Sequence, residues 1–287
     1  MEIYLYQIGG YLIRVFHESL NQLFTLFGPF LILIVFLNLS ASVMARLSVR
    51  LLGRNLFLYG FAWLGCSVHE LSHAFFALVF GHKIKEITLF EPNKDGESMG
   101  HVSHSYNKKS FYQKIGNFFI GIGPILAGGI VLFLITLILY KLNITDIFKF
   151  RFATDIFTSR QLLGQLYDSL RTGMLTYINL LFAGKAVIWW KSFLFIYVLY
   201  SIGSSMTLSK PDVKGASAGF LWVIVIIVLF NLLTLWIGSY GGLTTEPFVG
   251  FISAINFLFI LVLATNLVLI ILLFFLNLIK NLFIHRR

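Results

Sequence analysis

Acidic residues are scarce in this chain. Its 287 residues hold 12 Asp and Glu beside 22 Lys and Arg, and charged residues of both signs make up 12% of the sequence, about half the share of a soluble globular domain. Hydrophobic residues make up 58%. That balance excludes an ordinary soluble fold, and the chain is expected to be an integral membrane protein. Cysteine is nearly absent: a lone Cys66 excludes an internal disulfide and most cysteine-built metal sites. The opening MEIYLYQIGG carries an acid where a leader peptide would be basic, so no secretory signal is expected. With only five prolines and no low-complexity tract, residues 1–287 read as one domain.

The excess of positive charge suits a membrane surface. Arg46, Arg50 and Arg54, then Lys108, Lys109 and Lys114, then Arg286 and Arg287 flank apolar runs, where they meet anionic headgroups. The expected partner is the lipid bilayer, with no nucleic acid. Crossing the hydrocarbon takes about 20 apolar residues, and stretches of that kind occur at 23–42, 55–80, 113–141, 187–206, 216–239 and 249–280. The expected fold is an all-α polytopic membrane protein with about six transmembrane helices. Residues 1–20 and 142–186 mix charges such as Arg14, Glu18, Asp168 and Arg171 with apolar residues at helical spacing, which places both along the interface. A core of about 55–240 is then flanked by an interfacial helix and first span, 1–54, and by a last span, 249–287.

Residues 81–110 differ in kind. IKEITLF alternates with period two, EPNKDG is a turn cluster, and SMGHVSHSY supplies a return strand, so a small β-hairpin is expected after the preceding helix. Such backbone must lie at the water interface or line a cavity.

The preceding helix carries the main chemical signal. WLGCSVHELSHAFFALVF, residues 63–80, holds His69, Glu70 and His73 in the middle of an apolar stretch. Ionisable groups at membrane depth cost several kcal/mol and mark function. On a helix His69 and His73 share one face with Glu70 beside them, the arrangement in which two imidazoles bind zinc and a carboxylate acts as base. The competing reading is a polar cluster without metal; a random HExxH arises in such a chain roughly once in a hundred.

A catalytic zinc takes a third protein ligand. Asp212, in a loop with Pro211 before it and Gly215 after it, is the leading candidate, because two crossings separate it from HELSH and leave both on one membrane side. Glu246 falls on the opposite side. His101 and His104 of the hairpin share the favourable side and stand as alternative ligands or as substrate-binding groups.

HELSH in one span, FIGIGPILAGG in the next and an Asp-containing loop after a later span together resemble the site-2 protease family of intramembrane zinc metalloproteases. The resemblance implies that His69, His73 and Asp212 hold Zn2+, that Glu70 is general base and acid, and that the Gly-Pro helix bends beside the site. The family's asparagines correspond here to Ala127 and Ser204, and its Leu-Asp-Gly triplet to Pro211, Asp212 and Val213. Ser204, Ser205 or a hairpin amide are the candidates for oxyanion stabilisation. The implied function is hydrolysis of membrane-anchored protein substrates. The Lys- and Arg-free loop at 240–248 and the basic C-terminus place the site toward the cytoplasmic side, which agrees with the resemblance, and abundant Phe, Ile, Asn and Lys point to a bacterial cytoplasmic membrane. The alternatives are a catalytically silent relative that binds transmembrane helices and a metal or ion transporter using the same histidines.

Overall fold

A computed structural model describes residues 2–92, 99–140, 189–237 and 246–284, with a few isolated helical positions between 164 and 175. The expected interfacial stretch 142–186 and the tip of the hairpin lie largely outside the described residues. The chain is mostly helical. Helix α1 spans Glu2–Leu52, a short α2 covers Arg54–Phe57 and runs through a π-helical turn, Leu58–Ala62, into α3, Trp63–Val79. Strands β1, Lys83–Thr88, and β2, His101–Ser105, follow, then α4, Phe111–Tyr140. The remaining described helices are α5, Trp189–Gly203, α6, Lys210–Thr234, and α7, Glu246–Ile284.

Among the described residues, four helical segments are long and apolar enough to cross a membrane: Tyr6–Leu52, Phe111–Leu139, Lys210–Thr234 and Val262–Leu282. Their outer faces are as apolar as their core, and some of the buried residues are amides. Leu229, Leu233, Ile271 and Phe275 face outward, while Asn231 and Asn266 are buried. Without a hydrophobic drive between helices in lipid, small residues and buried amides hold the contacts. Asn231 exchanges amide hydrogen bonds with Gln22 at 3.2 and 2.9 Å, and Asn266 donates to Ser40 at 3.1 Å.

Two expectations change. Residues 1–20 are not a separate helix: α1 is continuous over 51 residues, about 77 Å at 1.5 Å per residue, far more than one hydrocarbon thickness of about 30 Å. It ends where Gly53 takes φ 82°, a conformation that favours glycine. Second, residues 187–206 and 216–239 do not form an out-and-back pair. Lys191 reaches the Leu139 carbonyl, Gly128 packs on Ile202 and Met206, Gly121 on Asp212 and Ala216, and Phe111 on Trp222. These contacts run in one sense along α4, so α5 and α6 continue in the same direction past it. The break between them, 204–209, leaves the helical path without reversing the chain. Apolar content measures depth and not direction, which is why the two segments read as two spans.

The hairpin forms as expected. β1 and β2 pair antiparallel with Thr88 opposite His101 and a bulge between Ile84 and Glu86. Gly81, at φ 69°, stops α3 and turns the chain into β1, while the His82 amide caps the helix by donating to the Ala77 carbonyl at 2.8 Å.

A candidate metal centre between two broken helices

Three elements converge on His69 and His73. The first approach is set by Gly65 on α3, where a Cβ would overlap the Ser201 carbonyl and Ser205 of α5. Only glycine allows backbones that close, and the result is that the Ser205 carbonyl lies 2.9 Å from His69 Nδ1. Ser205 stands in the turn after α5, outside the helical ladder, so its carbonyl is free to meet a side chain. The second approach joins α4 to α6, with Gly121 against Asp212 and Ala216, and Gly219 against Phe118. That contact carries Asp212 to the histidines.

Pro124 supplies the other anchor. Proline has no N–H, so the carbonyl four residues earlier loses its helical donor; here that carbonyl is Ile120. His73 Nδ1 lies 2.8 Å from it. A carbonyl can only accept, so both imidazoles carry their proton on Nδ1 and turn Nε2 lone pairs inward. The two Nε2 atoms stand 3.3 Å apart, and Asp212 Oδ1 lies 3.4 Å from His73 Nε2. Asp212 Oδ2 is 4.0 Å from His69 Nε2.

Asp212 sits in the first turn of α6 and not in a free loop. Ser209 caps that helix, and the two residues form a capping box: Asp212 Oδ2 accepts from Ser209 N at 2.8 Å and from its hydroxyl at 2.6 Å. Oδ1 faces His73. The cap thus orients the carboxylate.

Three lone-pair donors therefore meet with no proton between them. Two neutral Nε2 atoms and a carboxylate at this range repel unless a cation stands among them. Histidine protonation would resolve the repulsion, but a charge-assisted N–H···O bond is about 2.7–2.9 Å long, shorter than any separation here. Zn–N bonds of about 2.0–2.1 Å in a tetrahedron set ligand atoms about 3.3–3.4 Å apart, and two of the three separations have that length. His69, His73 and Asp212 could hold a metal ion.

No protein-family model, curated protein or solved structure matches this chain.

The triad opens on a cavity of about 680 Å³. Glu70, buried to 7% exposure, lines it, as do Gly100, His101, Val102 and His104 of the hairpin, and Ser204 and Ser205. A Cβ at Gly100 would meet the Glu70 side chain at 2.7 Å, so the hairpin closes over the carboxylate. The remaining histidines are placed differently from the triad. His101 pairs with exposed Glu86 at 3.5 Å. His104 Nδ1 lies 3.0 Å from His82 Nδ1, and His82 Nε2 lies 2.8 Å from the Gln113 carbonyl. Burial lowers the pKa of both rings below the ordinary 6.5; the Gln113 carbonyl partly opposes this in His82, while His82 and His73 add to it in His104. Ser204 and Ser205 both spend their hydroxyls on the Ser201 carbonyl, at 3.0 and 3.3 Å.

Two groups escaped the sequence reading. Pro124 was legible as a kink but not as the source of the His73 anchor. Asn117, at 9% exposure, lines the cavity from the α4 turn before Ile120; no motif marks it.

Proposed function

We propose that this chain is an intramembrane zinc metalloprotease that hydrolyses peptide bonds of membrane-anchored protein substrates, with its site toward the cytoplasmic side of a bacterial membrane. The observation that supports this reading is the convergence of two Nδ1-anchored imidazoles and a capped carboxylate beside the buried Glu70 in one cavity. The likeness of HELSH and the Gly-Pro helix to site-2 proteases points the same way.

His69, His73 and Asp212 are the residues that would hold the ion, and their donor set, two nitrogens and one oxygen, fits zinc and leaves a fourth position open. When bound, zinc supplies a Lewis acid that polarises the scissile carbonyl and lowers the pKa of water. Glu70 takes the proton from the attacking water and returns it to the leaving amine. The Ser205 and Ile120 carbonyls hold both imidazoles in the ligating tautomer. The nonhelical backbone at 204–209 and the β2 strand line the cavity from two sides, where irregular backbone is tolerated at membrane depth. An extended substrate segment adds along β2, which fixes the scissile bond against Glu70.

The test is a reconstituted chain with a reporter fused to a single apolar span. Wild type cleaves the fusion, and Glu70→Gln keeps its zinc while losing cleavage. Equal cleavage by Glu70→Gln would falsify the assignment. Uptake of zinc with no cleavage by either protein favours the silent or transporting alternatives.

A further inference from the structure

Hydrolysis at this site places negative charge on the carbonyl oxygen of the substrate, and a preorganised hydrogen-bond donor aimed at that oxygen is worth a large part of the rate. The polar side chains lining the cavity can be sorted by whether they have a proton to give. Ser204 and Ser205 donate to the Ser201 carbonyl. Ser209 donates to Asp212. His82 must donate through Nε2 to the Gln113 carbonyl, so its Nδ1 accepts, and the proton between the rings belongs to His104 Nδ1. His104 Nε2 is then an acceptor, and an acceptor cannot stabilise an oxyanion.

Asn117 is left. Its side chain is nine-tenths buried, lines the same cavity as Glu70, His73 and Asp212, and its amide makes no hydrogen bond among the described residues. It stands three and four residues before Ile120 and Gly121, hence on their face of α4. Those two positions hold His73 and abut Asp212. The amide is not sealed off within the protein: with no such partner it faces the cavity, where its N–H groups can meet a substrate oxygen. We propose that the Asn117 side-chain amide is the oxyanion donor of this site, a catalytic residue for the hydrolysis of an extended peptide. The assignment rests on the protease reading above. Thr207, a half-buried cavity residue, is the other lining donor with no partner among the described residues.

Three measurements on the full-length chain test this. For the single-span reporter, Asn117→Ala and the near-isosteric Asn117→Asp are expected to lower kcat by roughly 10²–10³-fold, with KM within about threefold. Their zinc content stays equal to wild type, which separates a lost donor from a collapsed site. Thr207→Val is expected to lose far less than either. The third measurement is binding, not turnover: a phosphinic peptide carries the tetrahedral oxyanion, whereas a peptide hydroxamate of the same sequence seeks the metal alone. Asn117→Ala weakens phosphinate binding by a factor comparable to its kcat loss and leaves hydroxamate binding within a few-fold. Full activity and undiminished phosphinate binding in Asn117→Ala, or a larger loss in Thr207→Val, overturns the proposal. A wild type that binds neither inhibitor overturns both this proposal and the protease reading.

Discussion

Among the described residues two histidine pairs lie close, and their difference is instructive. His69 and His73 bring ring nitrogens to 3.3 Å; His82 and His104 bring theirs to 3.0 Å. Distance alone does not separate them. What separates them is where the protons go. In the hairpin pair one ring donates to a backbone carbonyl and accepts from the other, so every close contact has its proton. In the α3 pair both rings spend their proton on carbonyls, Ser205 and Ile120, and both lone pairs turn toward a carboxylate. The first arrangement is complete as it stands, and the second turns its lone pairs to one point, where it could hold a cation. Proton accounting decides between a structural and a ligating histidine.

The sharpest way to break this contrast is to remove a ligand. His73→Ala or Asp212→Ala is expected to abolish stoichiometric zinc and to lower reporter cleavage by at least roughly 10³-fold, while His104→Ala keeps the metal. Elemental analysis beside the cleavage assay reads both.

Restoring a competitor is subtler. Pro124→Ala returns an N–H to α4 that bonds the Ile120 carbonyl and takes it from His73. Interior proline costs a helix about 3 kcal/mol, so thermal stability holds or rises. Metal affinity is expected to fall about 10–100-fold, as for other lost outer-shell partners. Affinity by competition with a chromogenic chelator and a melting curve of the same sample give the opposed signs. A parallel fall in both would assign Pro124 a packing role only.

Gly65→Ala attacks the other anchor. The added methyl overlaps the Ser201 carbonyl and Ser205 and drives α3 from α5. Overpacking of this kind costs about 1–3 kcal/mol, and His69 loses its acceptor together with that stability, read as a lower melting midpoint and weaker zinc binding.

Smaller effects belong to the hairpin. Folded His82 and His104 have pKa values below the ordinary 6.5, so the unfolded chain binds more protons as pH falls. Stability from their burial is present above about 6.5 and is lost as pH drops through that value toward the depressed folded values. Amide exchange in 82–88 and 101–105 is expected to speed up between pH 7 and 5, and His104→Ala to flatten that dependence. His101→Ala is expected to cost under about 1 kcal/mol, because its partner Glu86 is exposed.

Much of the site was legible from residue type and spacing. HELSH places two imidazoles on one helical face with a carboxylate beside them whatever surrounds them, and alternation in IKEITLF specifies a strand. Asp212 was singled out by counting two crossings from HELSH, a count that the continuous run of α5 and α6 replaces. Its role as part of a helix cap was not legible, since Ser209 and Asp212 could equally have belonged to an open loop. The direction of α5 and α6 was not legible because hydropathy carries no sense of travel. Nor were the two carbonyl anchors: that Pro124 frees the Ile120 oxygen is local chemistry, but which side chain arrives there depends on the register between α3 and α4. Asn117 was hidden for the same reason.

The most direct measurement is zinc per chain in purified protein, loaded and then washed with a weak chelator, for wild type, His73→Ala and the His82→Ala/His104→Ala double variant. The account predicts one zinc in the wild type, one in the double variant and none in His73→Ala. Zinc retained by His73→Ala, or lost with the hairpin histidines, would contradict it.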